Sequence, residues 1–141
     1  MSEARRWLAA ASSPRTGDRV QIRCLIVDDN QPFLDAARLL LEREGVAVVG
    51  VTTTSAEALR LEEGLRPDVV LVDIRLGDDS GFDLARRLNG TVILISTHAQ
   101  SEYAEEIAAS PAAGFIPKAR LSADAVLRLA AAPTDEDASA R

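Results

Sequence analysis

Two adjacent carboxylates, Asp28 and Asp29, stand where an apolar run, Cys24-Leu25-Ile26-Val27, gives way to a polar loop. A second apolar run, Val69-Val70-Leu71-Val72, ends the same way at Asp73. If the two runs are parallel neighbours in a sheet, three carboxylates converge at one edge. Carboxylates crowded into one crevice repel one another unless a cation sits among them, and a site built from oxygen donors suits Mg2+. Such a site could also present one Asp oxygen to a phosphoryl group. A hydroxyl at Ser96 closes the apolar run that opens at Thr91, and an ammonium at Lys118 follows the short run Gly114–Ile116.

The elements that must position these groups alternate in type. Ile22–Val27 reads as a buried strand, followed by a helix from Pro32 to Glu44 in which Phe33, Ala36, Ala37, Leu40 and Leu41 form one apolar stripe. Pro32 suits the first turn of that helix and Gly45 its C-terminal cap. Val46–Thr52 is the second strand, and Ser55 is expected to cap a helix that Gly64 ends. The unbroken hydrophobicity of Val69–Val72 predicts a strand covered on both faces. The loop Gly77-Asp78-Asp79-Ser80-Gly81 leads into a helix through Phe82, Leu84, Ala85 and Leu88. Thr91–Ser96 is the fourth strand, Ser101–Ala109 a helix, Gly114–Ile116 the fifth strand, and Ser122 caps a last helix to Ala132. Five strands alternating with five helices predict an α/β, doubly wound parallel sheet with helices on both faces. Ligands bind such sheets outside the C-terminal strand ends, where Asp28, Asp73 and Ser96 all lie.

Composition narrows the function classes. The 141 residues suffice for one domain, expected over 20–132, with a flexible extension at 1–19 and a polar tail at 133–141. Aromatic residues are only 4%, so the core must be aliphatic. A net charge of −6 disfavours direct nucleic-acid binding, which needs clustered Lys and Arg. No run approaches the length of a membrane span, so no membrane insertion is expected. The single cysteine, Cys24, lies in an apolar run and reads as an inert buried thiol, consistent with a cytoplasmic location.

In order, the chain carries Asp28-Asp29 after strand one, Asp73 after strand three, Ser96 after strand four, and Gly114-Phe115-Ile116-Pro117-Lys118 at strand five. This resembles the receiver domain of bacterial two-component response regulators. The resemblance implies a flavodoxin-like sheet of strand order 2-1-3-4-5. It also implies that Asp73 is the phosphoacceptor, a carboxylate nucleophile that forms an acyl phosphate. Asp29, Asp73 and the backbone carbonyl of Arg75 would ligate Mg2+, with Asp28 acting mainly through water. Lys118 would meet the phosphoryl oxygens, Ser96 would be the switch hydroxyl, and Phe115 the aromatic switch. The implied partners are a sensor histidine kinase or histidine phosphotransfer protein, and an output protein reached through the helix 4–strand 5–helix 5 face. With only nine residues after Ala132, a stand-alone or nearly stand-alone receiver is expected, its oligomeric state left open.

Each residue also has an ordinary structural use. Asp after a strand forms turns, a strand-end Ser bonds its own backbone, Lys118 alone reads as a solvated charge, and Phe115 alone reads as core. No α/β sheet requires the joint pattern. Gly77 replaces the proline common four places after the phosphoacceptor and should loosen its loop. Thr97 replaces a smaller residue, Ala119 follows Lys118 where many receivers have proline, and the link Arg86–Thr91 should clip the third helix. Arg75, Thr97 and His98 either ring the approach to the site or point into solvent. Three other readings compete. A small Mg2+-dependent phosphohydrolase would want a second carboxylate where Arg75 stands. A nucleotide or flavin module would want a glycine-rich phosphate loop after the first strand. A non-phosphorylated receiver-like scaffold would not need all five positions.

Overall fold

The apolar runs divide by parity, and that division builds the molecule. The computed structural model describes residues 21–131. Within them β1 (Arg23–Val27), β2 (Ala47–Thr52), β3 (Val69–Asp73), β4 (Thr91–Ser96) and β5 (Gly114–Pro117) form one sheet in the order β2-β1-β3-β4-β5, every neighbour parallel. Successive side chains of a strand point to opposite faces. Cys24, Ile26, Val69, Leu71, Ile93 and Ile95 therefore join one core cluster, while Leu25, Val27, Val70, Val72, Val92 and Leu94 join a second. The helices α1 (Gln31–Arg43) and α5 (Ala123–Ala131) supply the first cluster, through Leu34, Ala37, Leu41, Val126 and Ala130. The helices α2 (Ser55–Leu65) and α3 (Gly81–Arg87) supply the second, through Ala58, Phe82, Leu84 and Ala85, and Ile107 of α4 (Ala104–Ala109) packs against it. This is the doubly wound arrangement expected. All five residues of β3 are buried, as its unbroken apolar run requires.

Local chemistry moves several boundaries. Asn30 caps α1 by accepting from the Phe33 N–H, so the helix begins one residue before Pro32. Its apolar stripe is centred on Leu34, Ala37 and Leu41, with Ala36 exposed, so the expected stripe was a little out of phase. Thr54, not Ser55, caps α2 through its hydroxyl to the Glu57 N–H, and Ser55 becomes a buried helical residue. Gly64 does not end that helix. Arg66 does so in the left-handed region at φ 49°, and the Arg23 guanidinium donates to the Leu65 and Arg66 carbonyls at 2.7 and 3.0 Å. Those last carbonyls have no helical partner, which is why a cation is useful there.

Two segments differ in kind from the expectation. The helix expected over Ser101–Ala109 is a 3-10 turn at Gln100–Tyr103 followed by α4. The Gly- and Asp-rich loop holds a two-residue antiparallel ribbon, Arg75–Leu76 against Asp79–Ser80. The third helix is short, with 7 residues in α3. Its link is fastened by buried Glu62 of α2, whose carboxylate accepts from the Asn89 and Gly90 N–H groups at 2.7 to 3.0 Å. The expected extension and tail, 1–19 and 133–141, lie outside the described residues.

Candidate functional site

Asp28 extends the β1 ladder by donating its N–H to the Thr52 carbonyl at 3.1 Å. Its Oδ1 accepts from the Asn30 N–H at 2.9 Å, and Asn30 Oδ1 accepts from the Phe33 N–H at 3.0 Å. The acid pair is thereby built into the start of α1. Asp28 is fully buried, whereas Asp29 is exposed and accepts from the Gly77 N–H at 2.9 Å through Oδ2. Asp73 closes β3, with Oδ1 accepting from the Arg75 N–H at 3.3 Å. Because β1 and β3 are hydrogen-bonded neighbours in parallel register, with Val27 opposite Val72, their terminal carboxylates meet.

Gly81, a loop residue by sequence, is a positioning residue in the structure. Its N–H donates to the Ile74 carbonyl at 2.7 Å, and a Cβ there would lie 2.1 Å from the Asp73 carbonyl oxygen. No side chain fits, so glycine lets the start of α3 press against the end of β3. Gly77 takes φ 61°, and its N–H tie to Asp29 is one that proline could not make. The expected loosening of that loop is thus opposed by a bond to the acid pair.

One oxygen from each of Asp28, Asp29 and Asp73 lies within 4.8 Å of the others, a set that could hold a metal ion. Lys118, in the turn after β5, places Nζ 2.6 Å from Asp28 Oδ2 and 3.4 Å from Asp73 Oδ2, with its side chain 11% exposed. Burial, and then the Asp28 charge, push the Asp73 carboxyl up to about 6, against the opposing pull of Lys118. Asp28 and Asp73 face this one ammonium, Asp29 stands beside them, and the charge that remains is of the sign and size a divalent cation would balance. Asp28 Oδ2 is buried and accepts no aligned hydrogen bond, its contact with Nζ being an ion pair. Hard oxygen donors with capacity to spare fit Mg2+.

The remaining candidates surround this cluster. Ser96 closes β4, is buried, and accepts from the His98 N–H at 3.0 Å, the ordinary use of a strand-end hydroxyl. Accepting that bond does not use the hydroxyl's own proton. Phe115 is half-buried in the second core layer, on the face away from α1 and α5. Arg75 and Thr97 are exposed, while the His98 ring meets Tyr103 edge-on at 6.1 Å. The peptide bond between Lys118 and Ala119 is trans, as are all those of the described residues. Phe33, placed by sequence in the apolar stripe, also lies under the ammonium, 4.4 Å from Nζ to ring centroid.

A family model described as the response regulator receiver domain matches residues 24–129. The response regulator GacA of Pseudomonas aeruginosa is 28% identical over 103 residues, 69% of this chain and 48% of GacA. The chain spans about half or less of the length of the curated relatives it matches. Among solved structures, the CheY-like response regulator receiver domain protein of Methanospirillum hungatei gives a TM-score of 0.66 at 26% identity, covering 86% of this chain and 100% of that one. A response regulator protein from Burkholderia pseudomallei, solved with a phosphorylated aspartic acid, a calcium ion and citrate, gives 0.68 at 25% identity over 85% of this chain and 72% of that one.

Proposed function

The chain belongs to the response regulator receiver family, and on that premise we propose that it is a phosphorylation-dependent signalling switch whose phosphoacceptor is Asp73. The observation that carries the reading is the meeting of Asp73 with the acid pair and Lys118 at one sheet edge. Asp29, Asp73 and the Arg75 carbonyl would hold Mg2+, with Asp28 acting through water. The bound ion would supply positive charge to the phosphoryl oxygens. An Asp73 oxygen attacks phosphorus, and the bond to the donor's leaving group breaks with its electron pair. Lys118 brings a fixed ammonium to the oxygens of the arriving group, in a place largely closed to water. Ser96, whose proton is not used by the bond from His98, donates to the phosphoryl group once it is present, and Phe115 follows that movement.

The donor in this reading is a histidine kinase or a histidine phosphotransfer protein acting in the cytoplasm. The product state is read by an output partner on the face formed by α4, β5 and α5. No helix among the described residues is long and apolar enough to cross a membrane. Intact mass after incubation with acetyl phosphate or phosphoramidate tests the reading. One phosphoryl group is expected with Mg2+, none with chelator, and none in Asp73→Asn. Undiminished labelling of Asp73→Asn would overturn the assignment.

A further inference from the structure

Among the described residues the Lys118 ammonium has three neighbours. Two are oxygens, Asp28 Oδ2 at 2.6 Å and Asp73 Oδ2 at 3.4 Å. The third is the face of Phe33, 4.4 Å from Nζ to ring centroid. A ring face carries negative quadrupole charge and attracts a cation, more strongly where water is excluded, as at this 11% exposed side chain. The backbone that carries the ring is also held in place. Phe33 donates its N–H to Asn30 Oδ1, and Asn30 donates its own to Asp28 Oδ1. Asp28, Asn30, Phe33 and Lys118 thus close a circuit of contacts, in which the residue that pairs with the ammonium also braces the backbone that carries the ring.

We propose that Phe33 is a positioning residue for Lys118, its ring acting as the seat that keeps the ammonium beside Asp73 when the carboxylates are engaged elsewhere. A cation among Asp28, Asp29 and Asp73 would compete for both oxygen seats and repel the ammonium. The ring is neutral and is no hard oxygen donor, so it keeps its hold. Without it, Lys118 would spend more time turned away from the phosphoryl oxygens. This rests on the reading of Asp73 as phosphoacceptor, and its test separates the two.

The experiment uses the full chain, with Phe33→Leu, Phe33→Tyr, and mono-, di- and trifluorinated phenylalanine at position 33. Fluorine weakens the ring quadrupole at nearly constant shape. Labelling by acetyl phosphate at saturating Mg2+ is expected to slow about three- to tenfold in Phe33→Leu. It should fall stepwise along the fluorinated series and return towards wild type in Phe33→Tyr. In a Lys118→Ala background the series should be flat. The ring-current displacement of the Lys118 ε-methylene resonances, measured with and without Mg2+, should persist in wild type and vanish in Phe33→Leu. Equal rates along the isosteric fluorinated series, in a chain that labels normally, overturn the proposal even if Phe33→Leu fails to fold. A wild-type chain that takes no label defeats the phosphoacceptor reading instead. The ε-methylene resonances then decide the role of Phe33, and resonances unmoved by Phe33→Leu exclude it.

Discussion

Asp73 is the residue on which burial and repulsion act most visibly. Its carboxyl is raised from 3.8 to about 6, so between those values the folded chain binds a proton that an unfolded one releases. Stability from this group is therefore greatest on the acid side, falls as pH climbs through about 6, and stays lower above it. In chelator, the melting temperature of wild type relative to Asp73→Asn should decline across that window. A difference that does not change with pH there would contradict the burial argument. Lys118 and Ser96 should differ in kind. Lys118→Ala removes a charge already at the acceptor and should impair both labelling and signalling. Ser96→Ala should still label but propagate less change into α4, measured as chemical shifts with beryllofluoride. A full wild-type response from Ser96→Ala would exclude the switch role. At this scale the meeting of Asp28, Asp29, Asp73 and Lys118 is legible in the sequence, because each follows an apolar run. Phe33 reads only as part of an apolar stripe, since nothing in a linear sequence says that its ring lies under a lysine 4.4 Å away.

Among the elements, what positions the site is a set of caps and close approaches. Asn30 starts α1 and braces Asp28, and Gly81 lets α3 reach the end of β3. Gly81→Ala would force a Cβ against the Asp73 carbonyl, so it should destabilise the fold by about 1 to 3 kcal/mol, the usual cost of overpacking. It should also weaken Mg2+ binding by displacing Asp73. Urea unfolding and Mg2+ titration check this, and an unchanged urea midpoint would show that the backbone yields without strain. Element types and order were legible from the switch between apolar runs and helical stripes. Boundaries were less so, because Ser55 and Thr54 compete for one capping role and only backbone geometry decides between them. Arg66 ending α2 in place of Gly64 was not legible either, since it depends on Arg23 reaching carbonyls more than forty positions away.

At the scale of the whole molecule, the sheet order brings residues 28 and 73 together, and no pattern along the chain states that order by itself. It came from resemblance, and the parallel pairing of β1 with β3 agrees with it. Because the acid cluster is a liability of the ion-free fold, Mg2+ should stabilise the whole chain, by about 1.4 kcal/mol at roughly ten times its Kd. Asp29→Ala should lose most of that gain in thermal unfolding, and an undiminished shift would misplace the metal. The central claim is that the phosphoryl group resides on one residue, and reductive trapping tests it directly. Borohydride reduces an aspartyl acyl phosphate to homoserine, which marks its position permanently. After acetyl phosphate and Mg2+, peptide mass mapping should find homoserine at position 73 alone. Homoserine at another aspartate, or none in a chain that carries the label, would contradict it.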